Sequence, residues 1–378
     1  MRREQAASAT PSATASASTA RHRLNAATTV LWRGEDCVQL ELGSRALVIE
    51  HARSADIAAL VSGSGVPVVE TTGVADRAGL ADLAELSDLV EGLRREGFTD
   101  RVGPTDGEGA PVETFAALPG RLAADLRAAG IEHGANAAAV LRARRRAAVA
   151  VHGTSRVAVT LAATLAAAGV GWVQLAHGGE VRAADTCPGG LAPDDEGRRF
   201  AIAAVDAIRR AAPEAETSAL PADRPPDLTI LTDPEPIELP VRSGLHLDNL
   251  AHLAVQVEGS RAVIGPLVVP GVTSCLRCCD LHRRERDTAW PLLAVQLANR
   301  PRRVASSDVS LCIAAAGVAA SQALCHLDGG HPATLNGTLE WLLPDWRLRR
   351  RTWPTHHDCD CGAAGVAETT RPDGKIER

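Results

Sequence analysis

The spacing of apolar positions changes character near residue 147, and the chain reads as two parts. Before that point the apolar runs are short. Val30–Arg33, Cys37–Leu42 and Ala46–Glu50 are rich in strand-forming residues and are separated by Gly34 and Gly43-Ser44, which predicts three strands. Ser54–Leu60 predicts a capped helix. Leu80, Leu83, Leu86, Leu89 and Leu93 recur at helical spacing and predict a helix over 80–95. Gly103–Pro111 is a linker, and Leu122–Ala129 predicts one more helix.

Three strands followed by helices make residues 24–120 a small α/β domain with a winged-helix-like order of elements. A peptide-binding role and simple packing against the next domain are both open for it. From Ala147 the pattern is that of a larger α/β domain, spanning 145–362. Ala147–Val151 is a buried strand, His152–Arg156 a turn, Val157–Ala168 a small-residue helix and Trp172–Ala176 a second strand. Such a strand–turn–helix–strand unit opens a Rossmann-like, dinucleotide-type fold, with a helix N-terminus facing a phosphate. Gly153, Thr154, Ser155 and Arg156 occupy the turn, so these four are the candidate cofactor-binding residues. The G-x-G-x-x-G fingerprint is missing, and Ala176-His177 stands where a ribose-binding acid belongs. Asp227–Asp233 is a third buried strand. Asp233, at its carboxyl end, could hold Mg²⁺ as a catalytic residue or cap the turn at Pro234.

Helices are predicted over Gly197–Ala212, Asp280–Arg286, Trp290–Ala298 and Asp308–Leu327, and Trp341–Arg351 alternates as a late strand or extended arm. Residues 1–23, rich in Ala, Ser and Thr, read as a disordered N-terminus, and 363–378 as a flexible tail. The net charge of −6 argues against nucleic acid as a partner, and the arginine runs Arg142–Arg146 and Arg347–Arg351 read as solvated faces. Only one lysine, Lys375, stands in the chain, so no lysine before the tail can contact a phosphate. No apolar run reaches about 18 residues free of charge and glycine, which predicts no membrane span.

The nine cysteines include two tight pairs, Cys275/Cys278 and Cys359/Cys361, with 80 residues between the pairs. Thiolates two or three positions apart can hold one Zn²⁺ at about 2.3 Å per bond, and two such pairs complete a closed structural site. This pattern suits a reducing compartment, and the cytoplasm is the expected location. Cys279 competes with Cys278 as a ligand, and His356 or His357 could replace a late cysteine.

At these residues the chain resembles the ThiF/MoeB/HesA family, prokaryotic relatives of ubiquitin-activating enzymes. The features that carry it are Leu165–Gly171, the strand Leu228–Asp233, and Gly265–Gly271 leading into Cys275 and Cys278, with the late cysteine pair closing the match. The stretch Gly265–Leu297 is similar to an actinobacterial, ThiF-like or bacteriocin-cyclodehydratase-like branch. There the N-terminal unit resembles a leader-peptide recognition module. The resemblance implies adenylylation of a C-terminal carboxylate by ATP and Mg²⁺. It also implies a homodimer, and a peptide or carrier-protein partner. In azole-forming systems a YcaO-type enzyme is a further partner.

Carried over position by position, the resemblance leaves Gly153 in the glycine loop and Asp233 at the Mg²⁺ position. The phosphate lysine expected near Arg199-Phe200 is absent, with Arg156 or Arg198 as electrostatic substitutes. The departures fall on nucleotide residues and spare the cysteines. Three readings follow: a ThiF-like protein with a degenerate nucleotide site that binds a peptide or partner enzyme, an active adenylyltransferase, and a zinc-stabilised scaffold.

Overall fold

The computed structural model describes residues 21–61, 66–67, 80–102, 118–175, 178–232, 239–298 and 307–363. It divides into two compact units, Met1–Ala138 and Ala139–Arg378.

In the first unit the strands are β1 (Arg21–Leu24), β2 (Thr29–Trp32), β3 (Cys37–Leu42), β4 (Arg45–Glu50), β5 (Val66–Pro67) and β6 (Thr99–Val102). Its helices are α1 (Ser54–Val61), α2 (Leu80–Arg95) and α3 (Ala123–His133). A fourth, α4 (Ala137–Arg146), runs across the division between units. β2, β3 and β4 form an antiparallel meander, and β1 lies between β5 and β6 in a second three-stranded sheet. Val38, Leu40 and Leu42 alternate inward from β3 as the period of a half-buried strand requires. They pack with Ile57 and Leu60 of α1 and Val90 and Leu93 of α2.

Residues 21–23, expected to belong to a disordered start, lie in the strand Arg21–Leu24. Its sequence, Arg-His-Arg-Leu, carries no apolar alternation that would announce it. Pairing on both sides makes it the middle of a sheet.

The second unit is built on a seven-stranded sheet. Its strands are β7 (Ala148–His152), β8 (Trp172–Leu175), β9 (Leu228–Leu231), β10 (His252–Glu258), β11 (Arg261–Val268), β12 (Gly337–Leu342) and β13 (Arg349–Thr352). Its helices are α5 (Arg156–Ala167), α6 (Phe200–Ala211), α7 (Leu239–Leu247), α8 (Leu276–Arg286), α9 (Trp290–Ala298) and α10 (Val309–Leu327). The sheet order is β13-β12-β11-β10-β9-β7-β8. β8, β7, β9 and β10 are mutually parallel, and β11 to β13 run on as an antiparallel extension.

The chain leaves β7 through α5 to β8 on one side and returns through α6 to β9 on the other. The carboxyl ends of β7 and β9 therefore flank the switch point where such sheets place ligands. α5 is apolar almost all round, as a helix enclosed by neighbours must be, and nine of its residues from Val157 to Ala166 are buried. α10 has the length and apolar composition of a membrane-crossing helix. Here Leu311, Cys312, Ala315, Ala316, Ala319, Ala320 and Ala323 lie in the sheet core, so burial in protein accounts for its character.

The late segment 341–351 is not one extended arm. It is the end of β12, a turn, and β13. Pro344 cannot donate to a ladder. Asp345 Oδ1 accepts the N–H of Arg347 at 3.0 Å, and Trp346 takes φ +52°. These local features reverse the chain.

Candidate metal centre and phosphate-facing turn

The four cysteines of the two pairs meet. Cys275 is the N-cap of α8 and Cys278 lies in its first turn, where the helix dipole favours thiolate. Val269 N–H donates to Thr273 Oγ1 and Ser274 N–H to Asn336 Oδ1, which shapes the entry to this helix. Cys359 and Cys361 arrive on the segment after β13. The sulfur separations are 3.9 Å for Cys275–Cys278, 3.6 Å for Cys275–Cys359 and 3.7 Å for Cys278–Cys361. A tetrahedron with bonds of about 2.3 Å to a central Zn²⁺ has edges of about 3.8 Å, so the sulfurs stand at the spacing the ion demands. All four are buried, in a cluster with Leu231, Leu245, Leu276 and Leu281.

The electrostatics show what a cation would relieve. The hydrogen bond from Cys275 draws the Cys278 thiol down to about 4, helped by the His356 N–H, while burial opposes. That same bond, with burial, pushes Cys275 far up, and burial pushes Cys359 up to about 12. One thiolate, Cys278, therefore forms readily, while the bond to Cys278 and burial hold the proton on Cys275 and burial holds it on Cys359. A divalent ion removes that conflict.

None of the three expected substitutes, Cys279, His356 and His357, joins the group. Cys279 lies outside the four-sulfur cluster, and His356 acts as a brace. Its Nδ1 accepts the Asp358 N–H at 3.0 Å, so Nε2 carries the proton and donates to Glu285 Oε1 at 2.9 Å. Glu285 also meets His282 Nδ1, and His282 Nε2 donates to the Pro354 carbonyl at 3.0 Å. The brace ties α8 to the segment that carries the late pair. Its only sequence signal is the i,i+3 spacing of His282 and Glu285.

The turn between β7 and α5 is differently built. Gly153 takes φ +113°, a region that favours glycine, and Ser155 is the N-cap of α5. The Ser155 side chain makes no capping bond, and its buried Oγ has no partner. Arg156 turns away from the helix end. Its Nε donates to the Thr186 carbonyl at 2.7 Å and its Nη1 to the Ser307 carbonyl at 3.1 Å. Arg198 is held by the carboxylates of Asp195 and Asp206. Thr232 donates its N–H and its Oγ1 to the His152 carbonyl, at 2.9 and 3.0 Å, which joins the strand ends at the switch point. Cys187–Gly190 lies directly on α5, and a Cβ at Gly190 would stand 2.9 Å from the Thr160 nitrogen. Asp233, Ala176 and His177 lie outside the described residues.

No family model and no curated protein matches the sequence. Solved structures match the fold. E. coli MccB with ATP aligns at 15% identity and a TM-score of 0.65, covering 90% of this chain and 99% of that one. The Microcin C7 biosynthetic enzyme MccB in complex with N-formylated MccA aligns at 16% identity and 0.64, covering 90% and 99%. PaaA aligns at 17% identity and 0.57, covering 87% and 99%. The fold expected from the resemblance to ThiF-like proteins is thus shared with MccB and PaaA.

Proposed function

We propose that this chain is a ThiF-like protein with a degenerate nucleotide site, which binds a peptide or the enzyme that modifies it. The observation that supports this reading is the state of the two arginines that could stand in for the missing lysine, Arg156 and Arg198. Arg156 is engaged by two backbone carbonyls and Arg198 by two carboxylates. With no lysine before the tail, these were the substitutes for the missing phosphate cation. The residues at the turn do not fit a triphosphate, whose charge needs free cations around it. No step through ATP or Mg²⁺ is assigned.

The peptide part rests on the fold shared with MccB, which is known in complex with the peptide MccA. The small first unit, read as a winged-helix-like module, is the proposed peptide-binding domain. Cys275, Cys278, Cys359 and Cys361 would hold a Zn²⁺ that supplies stability and no chemistry, since four protein ligands leave no open position. A homodimer, a YcaO-type partner and a cytoplasmic location complete the proposal. Four cysteines gathered around one ion suit a reducing compartment.

The second reading, an active adenylyltransferase, is favoured by one feature. Ser155 Oγ is buried without a partner at the N-terminus of α5, beside a glycine that leaves the backbone open. Calorimetry of the full chain with ATP·Mg²⁺ separates the two. The expected result is no binding in the micromolar range and no carboxylate-dependent pyrophosphate exchange. Exchange that is lost in Asp233→Ala would establish the second reading instead.

A further inference from the structure

Beside the cysteine site, α8 and the β12–β13 hairpin share an arginine-rich face. Trp353 is buried, its Nε1 donating to Thr338 Oγ1 at 3.0 Å. Three guanidiniums converge on its ring: Arg283 and Arg286 from α8 at 5.5 and 5.1 Å from the centroid, and Arg351 from β13 at 5.5 Å. Arg349 lies on the same face of β13 as Arg351, two residues away, and Arg347 extends the charge into the turn.

These five arginines meet three carboxylates, Asp280, Glu340 and Asp345. Asp280 is also engaged by Arg242 and Glu340 by Arg261. Arg286 has no carboxylate partner among the described residues. The local positive excess stands against a chain whose net charge is −6. Apolar side chains accompany it: Leu342, Trp346 and Leu348 of the hairpin are 49%, 45% and 51% exposed. Exposed Trp with Arg is the composition of interface anchors, not of an inert solvated face.

We propose that this hairpin and the adjoining face of α8 dock an acidic segment of a partner protein that carries apolar side chains between its carboxylates. Charge complementarity selects the occupant. A second copy of the same face would bring arginines against arginines. A nucleic-acid backbone would satisfy the guanidiniums, yet it offers no apolar group to the two leucines. The surface lies in the second unit and is independent of any peptide bound by the first.

The test uses the full chain and fluorescence anisotropy with a labelled peptide that alternates glutamate and leucine. Controls are the same peptide with lysine for glutamate, and a single-stranded oligonucleotide. The expected result is salt-sensitive binding of the glutamate peptide, weakened about tenfold or more by Arg286→Glu and by Arg347→Glu/Arg349→Glu. Arg347 and Arg349 are exposed, so the double variant carries the test if Arg286→Glu does not fold. No binding, equal binding by the folded variants, or tighter binding of either control would overturn the proposal. The variants that test it lie in the second unit alone, so failure here is distinct from failure of the peptide reading above.

Discussion

The cysteine site and the β7–α5 turn belong to the same sheet domain, and their side chains are used in opposite ways. At the cysteine site every element converges: an N-cap, a first helical turn, a returning segment and a histidine–glutamate brace place four sulfurs at the spacing of one ion. At the turn the polar groups do not converge. Arg156 reaches two carbonyls and the buried Ser155 Oγ faces no partner, while Arg198 is neutralised by Asp195 and Asp206. Backbone geometry alone therefore does not make a nucleotide site. Among the described residues, the turn has the glycine and helix start of such a site, while Arg156 and Arg198 are engaged by other groups.

The comparison breaks first at the cysteines. Cys278→Ser is expected to take the metal content from about one zinc per chain to near zero and to abolish cooperative unfolding of the second unit. Structural zinc sites carry about 10–16 kcal/mol of apparent binding energy. Elemental analysis alongside thermal denaturation checks this, and a variant that keeps stoichiometric zinc would remove the assignment.

Next in size is Arg156→Ala. Its two charge-assisted bonds are structural, so the variant should lose about 2–3 kcal/mol in denaturant unfolding and leave ATP affinity unmoved. A nucleotide effect larger than the stability effect would mean that the turn does bind phosphate.

Gly190→Ala probes the same region from the loop side. A Cβ 2.9 Å from the Thr160 nitrogen forces the loop off α5, at about 1–2 kcal/mol. Chemical denaturation of the variant reads that value.

The smallest effect lies at His252, which begins β10 between Leu250 and Ala254 of the cysteine-side core. Burial holds its imidazole below the ordinary histidine range, only partly offset by its bond to the Leu250 carbonyl. The unfolded chain takes up the proton first. Its destabilising effect is therefore absent above about pH 6.5 and grows as pH falls below that value. Unfolding at about pH 7 and about pH 5.5 should show an extra loss of stability at the lower pH in the wild type relative to His252→Gln.

Much of this was legible in residues with local causes. The helices over 80–95 and 290–298 have the bounds their sequences predict. The two cysteine pairs were readable too, because tight spacing limits what such thiols can do. The strand at Arg21–Leu24 was not legible, since its existence rests on pairing with β5 and β6. Nor was the hairpin at 337–352, whose turn is set by Asp345 and Pro344 within a run that alternates like a single strand.

The sequence by itself determined which residues could act: four thiols in two pairs, one glycine at a helix start, and arginine as the only cation before the tail. Tertiary structure decided which of them do. Sulfurs 83 and 84 positions apart became one cluster because β13 leads the chain back to α8. Arg156 bonds Thr186 and Ser307 because folding brought their carbonyls within its reach. Spacing along the chain fixes the local geometry of a pair. The partner that a long, flexible side chain finds depends on contacts made only after the chain has folded.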